Sequence, residues 1–239
     1  MFFKKKEKKP QQQGPYCACV VAAAGSSTRM GSDKLLADLG GEPVILRTLR
    51  ALSASPYIHE IAVVTREDLL LEIGRLCRDN DLPKVTQVLV GGDSRLESVY
   101  KGVCQLSKKA KLIAIHDGAR PFVSRELIHN LCHAASHCSA AAPAVEVKDT
   151  VKRVEGTRVA ETLDRSALRA VQTPQVFDAD LIRGALQKAV EEKWELTDDC
   201  SAVEKLGGTV HLVPGDERNI KLTTPADLAA AHAILTQEV

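Results

Sequence analysis

The sequence predicts an α/β fold in which a mostly parallel β-sheet carries helices on both faces. Apolar runs of strand length alternate with amphipathic helical patterns along most of the 239 residues. Several of the apolar runs are continuous rather than alternating, as is typical of strands that are covered on both faces. Alternation of strand and helix implies right-handed crossovers, which make successive strands parallel in a Rossmann-like sheet.

The predicted elements follow one another with few interruptions. In chain order they are strand 17–24, helix 43–52, strand 60–65, helix 68–79, strand 85–90, helix 95–106, strand 112–116, helix 124–137, strands 140–147 and 168–173, helices 178–192 and 197–206, strand 210–213 and helix 225–235. Three helices have a recognisable start. Pro43 and Pro225 stand near a first turn, and Ser124 is a suitable N-cap residue.

One segment, 149–164, has the pattern of a β-hairpin instead. Polar and apolar residues alternate there on both sides of Glu155-Gly156, a turn dipeptide. A two-stranded ribbon alone is only marginally stable in water, so we expect this arm to pack against a second subunit.

Charge and composition exclude several classes of protein. The formal charge is +1, but the first nine residues carry +4, which leaves the rest of the chain slightly acidic. No global basic field and only 3% aromatic residues argue against nucleic-acid binding. No apolar run is long enough to span a membrane. We interpret residues 1–14 as a disordered basic tail, or alternatively a tether to an anionic surface, and residues 15–239 as a single domain.

The cysteines and histidines leave two questions open. Seven cysteines without a C-x-x-C pair indicate free thiols and a cytoplasmic protein. His129, Cys132, His133 and His137 recur at helical spacing, which permits a metal site. The alternative is a half-buried helix with polar histidines at its edge.

The loop after the first strand has the composition of an anion-binding loop. Its small residues begin with Ala23, Ala24 and Gly25 and let backbone N–H groups approach a ligand, while Arg29 and Lys34 add positive charge. The spacing matches neither the P-loop nor the dinucleotide fingerprint. A plain turn with solvated basic residues is the alternative interpretation.

Two further loops are expected at the same edge of the sheet. Gly92, Asp93 and Ser98 follow the third strand, and Asp117 ends the fourth. Ligands of open α/β sheets bind beyond the carboxyl ends of the strands, where Asp117 could hold a divalent cation or a ribose hydroxyl. A turn residue that bonds its own backbone is the alternative for Asp117, and His116 is expected to end a buried strand.

Eight motifs now occur in an order that resembles a known family. They are A-A-G-x-x-x-R-M-G, G-G-x-x-R-x-x-S-V, H-D-G-A-R-P, K-D-T-V-K, L-D-R, Q-T-P-Q, T-D-D and N-I-K-L-T. The chain is similar over about residues 18–235 to the 2-C-methyl-D-erythritol 4-phosphate cytidylyltransferases of non-mevalonate isoprenoid biosynthesis. The resemblance implies a nucleotide-diphospho-sugar transferase-like fold, CTP and methylerythritol phosphate as substrates, Mg²⁺ as cofactor, and a homodimer.

The resemblance also implies roles for individual residues. The catalytic set would be Arg29, Lys34, Arg165 and Lys221, of which Arg29 and Lys34 contact the triphosphate. Ala23, Ala24, Gly25, Gly92, Asp93 and Ser98 would surround cytosine and ribose, with Asp117 and Gly118 at the ribose and Asp117 near Mg²⁺. Arg165 and Lys221 would position the acceptor with Arg120, Thr150 and Thr173. Because the family's arm reaches the neighbouring subunit, Thr150 and Arg165 would serve the partner's substrate.

The reaction itself explains these residue types. A substrate phosphate that attacks the α-phosphorus of CTP is already ionised at pH 7, so no general base is required. The enzyme must instead align two mutually repelling anions and neutralise the developing charge. A ribitol 5-phosphate cytidylyltransferase and a catalytically silent nucleotide-binding module remain the alternatives, and the presence of both Arg29 and Lys34 argues against the second.

Overall fold

An inner strand of small and β-branched residues organises the sheet in the computed structural model, which describes residues 14–25 and 33–237. The strands of this part of the chain are β1 (Cys17–Ala23), β2 (Ile58–Thr65), β3 (Val85–Val90), β4 (Leu112–Asp117), β5 (Ala140–Glu146), β6 (Lys152–Glu155), β7 (Arg158–Thr162), β8 (Arg169–Val171), β9 (Gln175–Asp178) and β10 (His211–Pro214). Strand β1 lies between β2 and β4 and runs parallel to both.

The main sheet has the order β10-β5-β9-β4-β1-β2-β3, with β8 paired to β5. The pairs β2–β3 and β10–β5 are also parallel. Strand β9 is antiparallel to both β4 and β5, and β8 is antiparallel to β5. The mostly parallel α/β sheet predicted from the sequence is therefore confirmed, with two antiparallel exceptions.

Those exceptions correct one predicted element. The strand expected at 168–173 is only three residues long, and the neighbouring β9 was not predicted. Its apolar stretch consists of Val176 and Phe177 alone, flanked by Gln175 and Asp178. Two residues are too few to give a strand periodicity, although Phe177 is completely buried between the sheet and its helices.

Helices cover both faces of the sheet. They are α1 (Val44–Ala54), α2 (Leu70–Asp79), α3 (Arg95–Gln105), α4 (Arg125–Cys138), α5 (Ala179–Glu191), α6 (Cys200–Lys205) and α7 (Pro225–Thr236). Alternate residues of β1 enter different cores: Cys19 and Val21 pack with α1, α2 and α4, whereas Ala18 and Val20 pack with α3, α5 and α6. This two-sided burial explains why β1 is apolar at every position.

One glycine shows how closely these layers approach. A Cβ atom on Gly102 of α3 would lie only 2.7 Å from methyl groups of both Val20 and Val64. The absence of a side chain there lets α3 pack directly on the sheet, next to the loop that follows β3. Because β1, β2, β3 and β4 are parallel to one another, their carboxyl ends share one edge of the sheet.

The predicted hairpin is present as β6 and β7. The two strands are antiparallel, Lys152 pairs with Thr162, and Gly156 supplies a positive φ of 58° in the turn. Val154 and Val159 face each other across the ribbon and are 56% and 54% exposed. The arm therefore offers an apolar surface that this chain leaves uncovered.

Several other expectations concern cysteines, histidines and the termini. All seven cysteines are unpaired. Within 14–25 and 33–237, no three His, Cys, Asp or Glu side chains form a group that could hold a metal ion. The ring centroids of His133 and His137 lie 4.6 Å apart, so these two side chains contact each other. No described helix is long and apolar enough to cross a membrane. The predicted basic tail, residues 1–14, lies outside the described part of the chain except for Gly14.

Candidate active site

A cavity of about 330 Å³ opens where β1 and β4 end, beside the loop that follows β3. Its walls are formed by Ala22, Ala23, Ala24, Gly25, Lys34, Leu35, Gly92, Asp93, Ser94, Arg95, Ser98, Asp117, Ala119 and Lys221. The predicted residues that the fold brings together here are Ala23, Ala24, Gly25, Lys34, Gly92, Asp93, Ser98, Asp117 and Lys221. Arg29 lies outside the described residues. The cavity thus combines small residues and exposed backbone with cationic side chains.

The loop between β3 and α3 is held rigid by its own side chains. The hydroxyl of Ser98 accepts a hydrogen bond from the Gly92 N–H (3.0 Å) and donates to the Ser94 carbonyl (2.8 Å). The Glu97 carboxylate accepts from the Asp93 N–H at 2.8 Å, and a Cβ on Gly92 would meet the Glu97 side chain at 2.5 Å. Ser98 therefore shapes the cavity wall by fixing the glycine backbone.

Asp117 is the electrostatic centre of the site. Its Oδ2 atom contacts Lys221 Nζ at 3.0 Å and Arg120 Nε at 3.3 Å. Burial by itself would raise the pKa of Asp117, but the positive charges of Lys221, Arg95 and Arg120 outweigh it and lower the pKa to about 2. The carboxylate is consequently ionised throughout the physiological range.

A buried hydrogen-bonded chain supports Asp117 from below. His116 Nε2 lies 3.1 Å from the Arg120 carbonyl, which can only accept, so this nitrogen carries the proton. His116 Nδ1 then accepts from the Thr173 hydroxyl at 3.0 Å, and that hydroxyl accepts from the Asp117 N–H at 3.1 Å. Burial lowers the pKa of His116 to about 4, which keeps the ring neutral.

Three predicted residues lie behind the cavity wall. Arg120 is buried and donates to Asp117 and to the Asn219 carbonyl (2.7 Å). The Thr173 hydroxyl is used by His116 and the Asp117 backbone. Gly118 donates its N–H to the Ala22 carbonyl at 2.9 Å and so joins the ends of β1 and β4. These groups support Asp117 and the strand ends, and none of them lines the cavity.

Thr150 and Arg165 are not brought into this cavity. Thr150 is exposed in the loop that leads into β6, and Arg165 is exposed just after β7. The Arg165 guanidinium donates to the Lys148 carbonyl at 2.5 Å and lines a separate pocket with Arg169 and Glu146. Within a single chain, therefore, Thr150 and Arg165 lie apart from Lys221, which lines the cavity, and from Arg120 and Thr173, which lie behind its wall.

Five residues of the cavity wall were missed as site residues, and Arg95 is the charged one among Ala22, Leu35, Ser94, Arg95 and Ala119. Arg95, the first residue of α3, forms a two-pronged ion pair with buried Asp199, with N–O distances of 3.0 and 2.6 Å. The Gln175 side chain in turn accepts from the N–H groups of Asp199 and Cys200. Arg95 and Asp199 both belong to quoted motifs, but their pairing spans 104 positions and no local spacing indicates it.

Comparison with known proteins connects this geometry to a family. The family model described as 2-C-methyl-D-erythritol 4-phosphate cytidylyltransferase matches residues 17–237, which is nearly the whole chain. The chain belongs to this cytidylyltransferase family. The resemblance seen in the eight motifs is thereby confirmed, and the protein is a nucleotidyltransferase.

Individual relatives agree with the family match. The chain is 44% identical over 221 residues to the 2-C-methyl-D-erythritol 4-phosphate cytidylyltransferase of Halalkalibacterium halodurans, which covers 92% of this chain and 96% of the relative. The enzyme of the same name from Geobacillus thermodenitrificans is 44% identical over 222 residues, 92% of this chain and 97% of the relative.

Solved structures of the family have the same architecture. The 4-diphosphocytidyl-2C-methyl-D-erythritol synthase of Anaerococcus prevotii superposes with a TM-score of 0.82 at 30% identity, covering 93% of this chain and 97% of that one. The cytidylyltransferase of Thermus thermophilus gives a TM-score of 0.77 at 33% identity, covering 91% and 98%. The architecture of these cytidylyltransferases therefore extends over more than nine tenths of this chain.

Proposed function

We propose that this cytidylyltransferase transfers CMP from CTP to 2-C-methyl-D-erythritol 4-phosphate. A phosphate oxygen of the acceptor attacks the α-phosphorus of CTP, the bond to the bridging oxygen of the β-phosphate breaks, and pyrophosphate leaves with that electron pair. The products are 4-diphosphocytidyl-2-C-methyl-D-erythritol and pyrophosphate. The observation that carries the proposal is the cavity in which ionised Asp117, Lys221 and Lys34 meet a wall of small residues.

The small-residue wall is proposed to bind the nucleoside. Ala23, Ala24 and Gly25 leave the backbone at the end of β1 accessible, and Gly92 and Asp93 do the same on the opposite wall. Ser98 contributes by holding the Gly92 backbone in place. Gly118 contributes through its hydrogen bond to β1.

Cationic residues are proposed to carry the catalysis. Arg29 and Lys34 neutralise the triphosphate, and Lys221 stabilises charge on the phosphate groups at the floor of the site. The attacking phosphate is already ionised, so the proposal assigns no general base. That agrees with the state of His116, whose ring is neutral, uses both nitrogens in hydrogen bonds and does not change its protonation near pH 7.

Mg²⁺ is part of the proposal, with Asp117 as its protein ligand. Protein sites commonly hold Mg²⁺ through one or two carboxylates together with substrate phosphates. Asp117 fits this pattern because it is ionised, and the described side chains that contact it, Lys221 and Arg120, both use Oδ2. When bound, Mg²⁺ would neutralise charge on the triphosphate and the leaving pyrophosphate.

The acceptor is proposed to bind between two subunits of a homodimer. Lys221 lines the cavity, whereas Arg165 and Thr150 lie near the base of the arm, outside the cavity of their own chain. An arm with uncovered valines is suited to pack against a second copy, which would deliver Arg165 and Thr150 to the partner's site. Arg120 and Thr173 would act on the acceptor only through Asp117.

The compartment proposed for this enzyme is the cytoplasm. Its seven cysteines are all unpaired, and five of them are buried in the two cores. Cysteines remain free thiols in the reducing environment of the cytoplasm.

Isotope transfer tests the proposed reaction directly. CTP labelled with ³²P at the α or γ position is incubated with the enzyme, Mg²⁺ and methylerythritol phosphate. We expect the α label in the cytidylylated polyol and the γ label in pyrophosphate. Nucleotide binding without release of labelled pyrophosphate would instead support the silent binding module.

A further inference from the structure

Arg66 joins the two ends of the loop that follows β1, residues 24–34, which we call the nucleotide loop. It follows β2 directly, and its Nη1 atom donates to the Gly25 carbonyl at 3.3 Å. Its Nη2 atom forms an ion pair with the carboxylate of Asp33. Gly25 and Asp33 stand on either side of the sequence 26–32, which contains Arg29, so one guanidinium links both flanks of that segment.

The Asp33 contact leads directly to the cavity. The second oxygen of Asp33, Oδ1, accepts from the Leu35 N–H at 2.9 Å. The Leu35 carbonyl accepts from the Ile45 N–H at 2.9 Å, which ties this turn to the first residues of α1. Gly25, Lys34 and Leu35 all line the cavity. The guanidinium therefore fixes the backbone on either side of Lys34 relative to Gly25.

Charge gives Arg66 a second role in the same place. The Asp33 side chain is only 17% exposed and lies next in sequence to Lys34, beside a cavity proposed to take a triphosphate. A negative charge beside the triphosphate repels it, and the low exposure of Asp33 leaves this repulsion weakly screened. The positive charge of Arg66 reduces that repulsion.

Asp68 provides an internal comparison. It contacts the same guanidinium, with its two oxygens each 3.0 Å from Arg66 nitrogens, but it is largely exposed and does not line the cavity. Asp68 therefore pairs with the guanidinium of Arg66 but does not connect Arg66 to the nucleotide loop.

We propose that Arg66 is a positioning residue for the triphosphate of CTP, which acts by neutralising Asp33 and by holding Gly25 and Lys34 at a fixed separation. The proposal rests on the proposed function for the identity of the nucleotide, and it is independent of the acceptor. Arg66 need not touch either substrate.

Calorimetric titration with CTP and Mg²⁺, without acceptor, tests this role. We expect Arg66→Met to raise the Kd for CTP about tenfold, the size typical of losing one charge-assisted contact. Arg66→Lys should recover only part of the loss, since one ammonium group cannot bridge both flanks. The matched control Asp68→Asn should stay within about twofold of the wild type.

A second substitution separates charge from structure. Adding Asp33→Asn to Arg66→Met should improve CTP binding over Arg66→Met alone, because the negative charge of Asp33 is gone, and should not restore wild-type affinity, because the bridge is still broken. The melting temperature and the KM for the acceptor should change little in all of these variants.

Three results would overturn the role of Arg66. They are wild-type CTP affinity in Arg66→Met, an equal loss of CTP affinity in Asp68→Asn, or a fall in melting temperature together with a rise in both the Kd for CTP and the KM for the acceptor. Failure of the proposed function is distinguishable. A wild-type enzyme that binds CTP but does not transfer CMP to methylerythritol phosphate would contradict the reaction and leave the CTP comparison among these variants intact.

Discussion

Two cations contact the same oxygen of Asp117, and their surroundings predict different consequences when each is removed. The Arg120 side chain is 11% exposed, whereas that of Lys221 is 40% exposed and lines the cavity. We expect Lys221→Met to lower kcat/KM about 100-fold through lost charge stabilisation. Its free energy of unfolding should fall by no more than about 1 kcal/mol, because Asp117 keeps Arg120 and the lost pair is partly exposed.

Arg120→Met is the matched comparison, measured by urea denaturation. Removal of a buried partner should destabilise the fold by about 3 kcal/mol, since it also leaves the Asn219 carbonyl without its Arg120 donor. Equal destabilisation by the two variants would mean that Lys221 is a structural residue and would remove the basis for its proposed role in catalysis.

His116 should make the stability of the fold depend on pH between about 6.5 and 4. The unfolded chain binds a proton near pH 6.5, whereas burial lowers the folded pKa to about 4. Stability is therefore fully present above pH 6.5, falls as the pH decreases and reaches a loss of about 3 kcal/mol near pH 4, at 1.4 kcal/mol per pKa unit.

His116→Gln, which cannot titrate, provides the control for this dependence. Its unfolding free energy should show a smaller slope over the same range, as measured by urea titration at several pH values. Asp117 does not contribute to this window, because its folded pKa is about 2 and its contribution is lost only below about pH 4. An unchanged slope in His116→Gln would show that His116 is not the group responsible.

Among the elements, the arm formed by β6 and β7 leads to a prediction about which subunit supplies Arg165 to each active site. Arg165→Met and Lys221→Met should each inactivate the homodimer. In a heterodimer purified through two different tags, one site combines an intact Lys221 with the partner's intact Arg165, so about half of the wild-type activity should return. If both residues serve the site of their own chain, the heterodimer stays as inactive as its parents.

The elements also show what the sequence could and could not predict. Loops that directly follow β1, β3 and β4 meet at one edge because the strands are parallel, so their meeting around one cavity could be predicted from position. Strand β9 and the Arg95–Asp199 pair depend on contacts between distant parts of the chain. Arg120 and Thr173 were assigned to the acceptor from the family resemblance, and their burial beneath Asp117 depends on packing that no motif encodes.

For the whole molecule, the identity of the acceptor decides which reaction the enzyme performs. The nucleotide cavity alone is compatible with any polyol phosphate that reaches the α-phosphorus of CTP. Methylerythritol phosphate and ribitol phosphate differ in the polyol, and the arm of a second subunit is proposed to complete that part of the site. Acceptor choice therefore tests the proposed acceptor site between two subunits.

The most direct measurement is pyrophosphate release from CTP and Mg²⁺ with either 2-C-methyl-D-erythritol 4-phosphate or ribitol 5-phosphate as acceptor. We predict that kcat/KM favours methylerythritol phosphate by more than about tenfold, which corresponds to roughly 1.4 kcal/mol of differential transition-state binding. A preference for ribitol phosphate, or no release with either acceptor, would show that methylerythritol phosphate is not the acceptor of this enzyme.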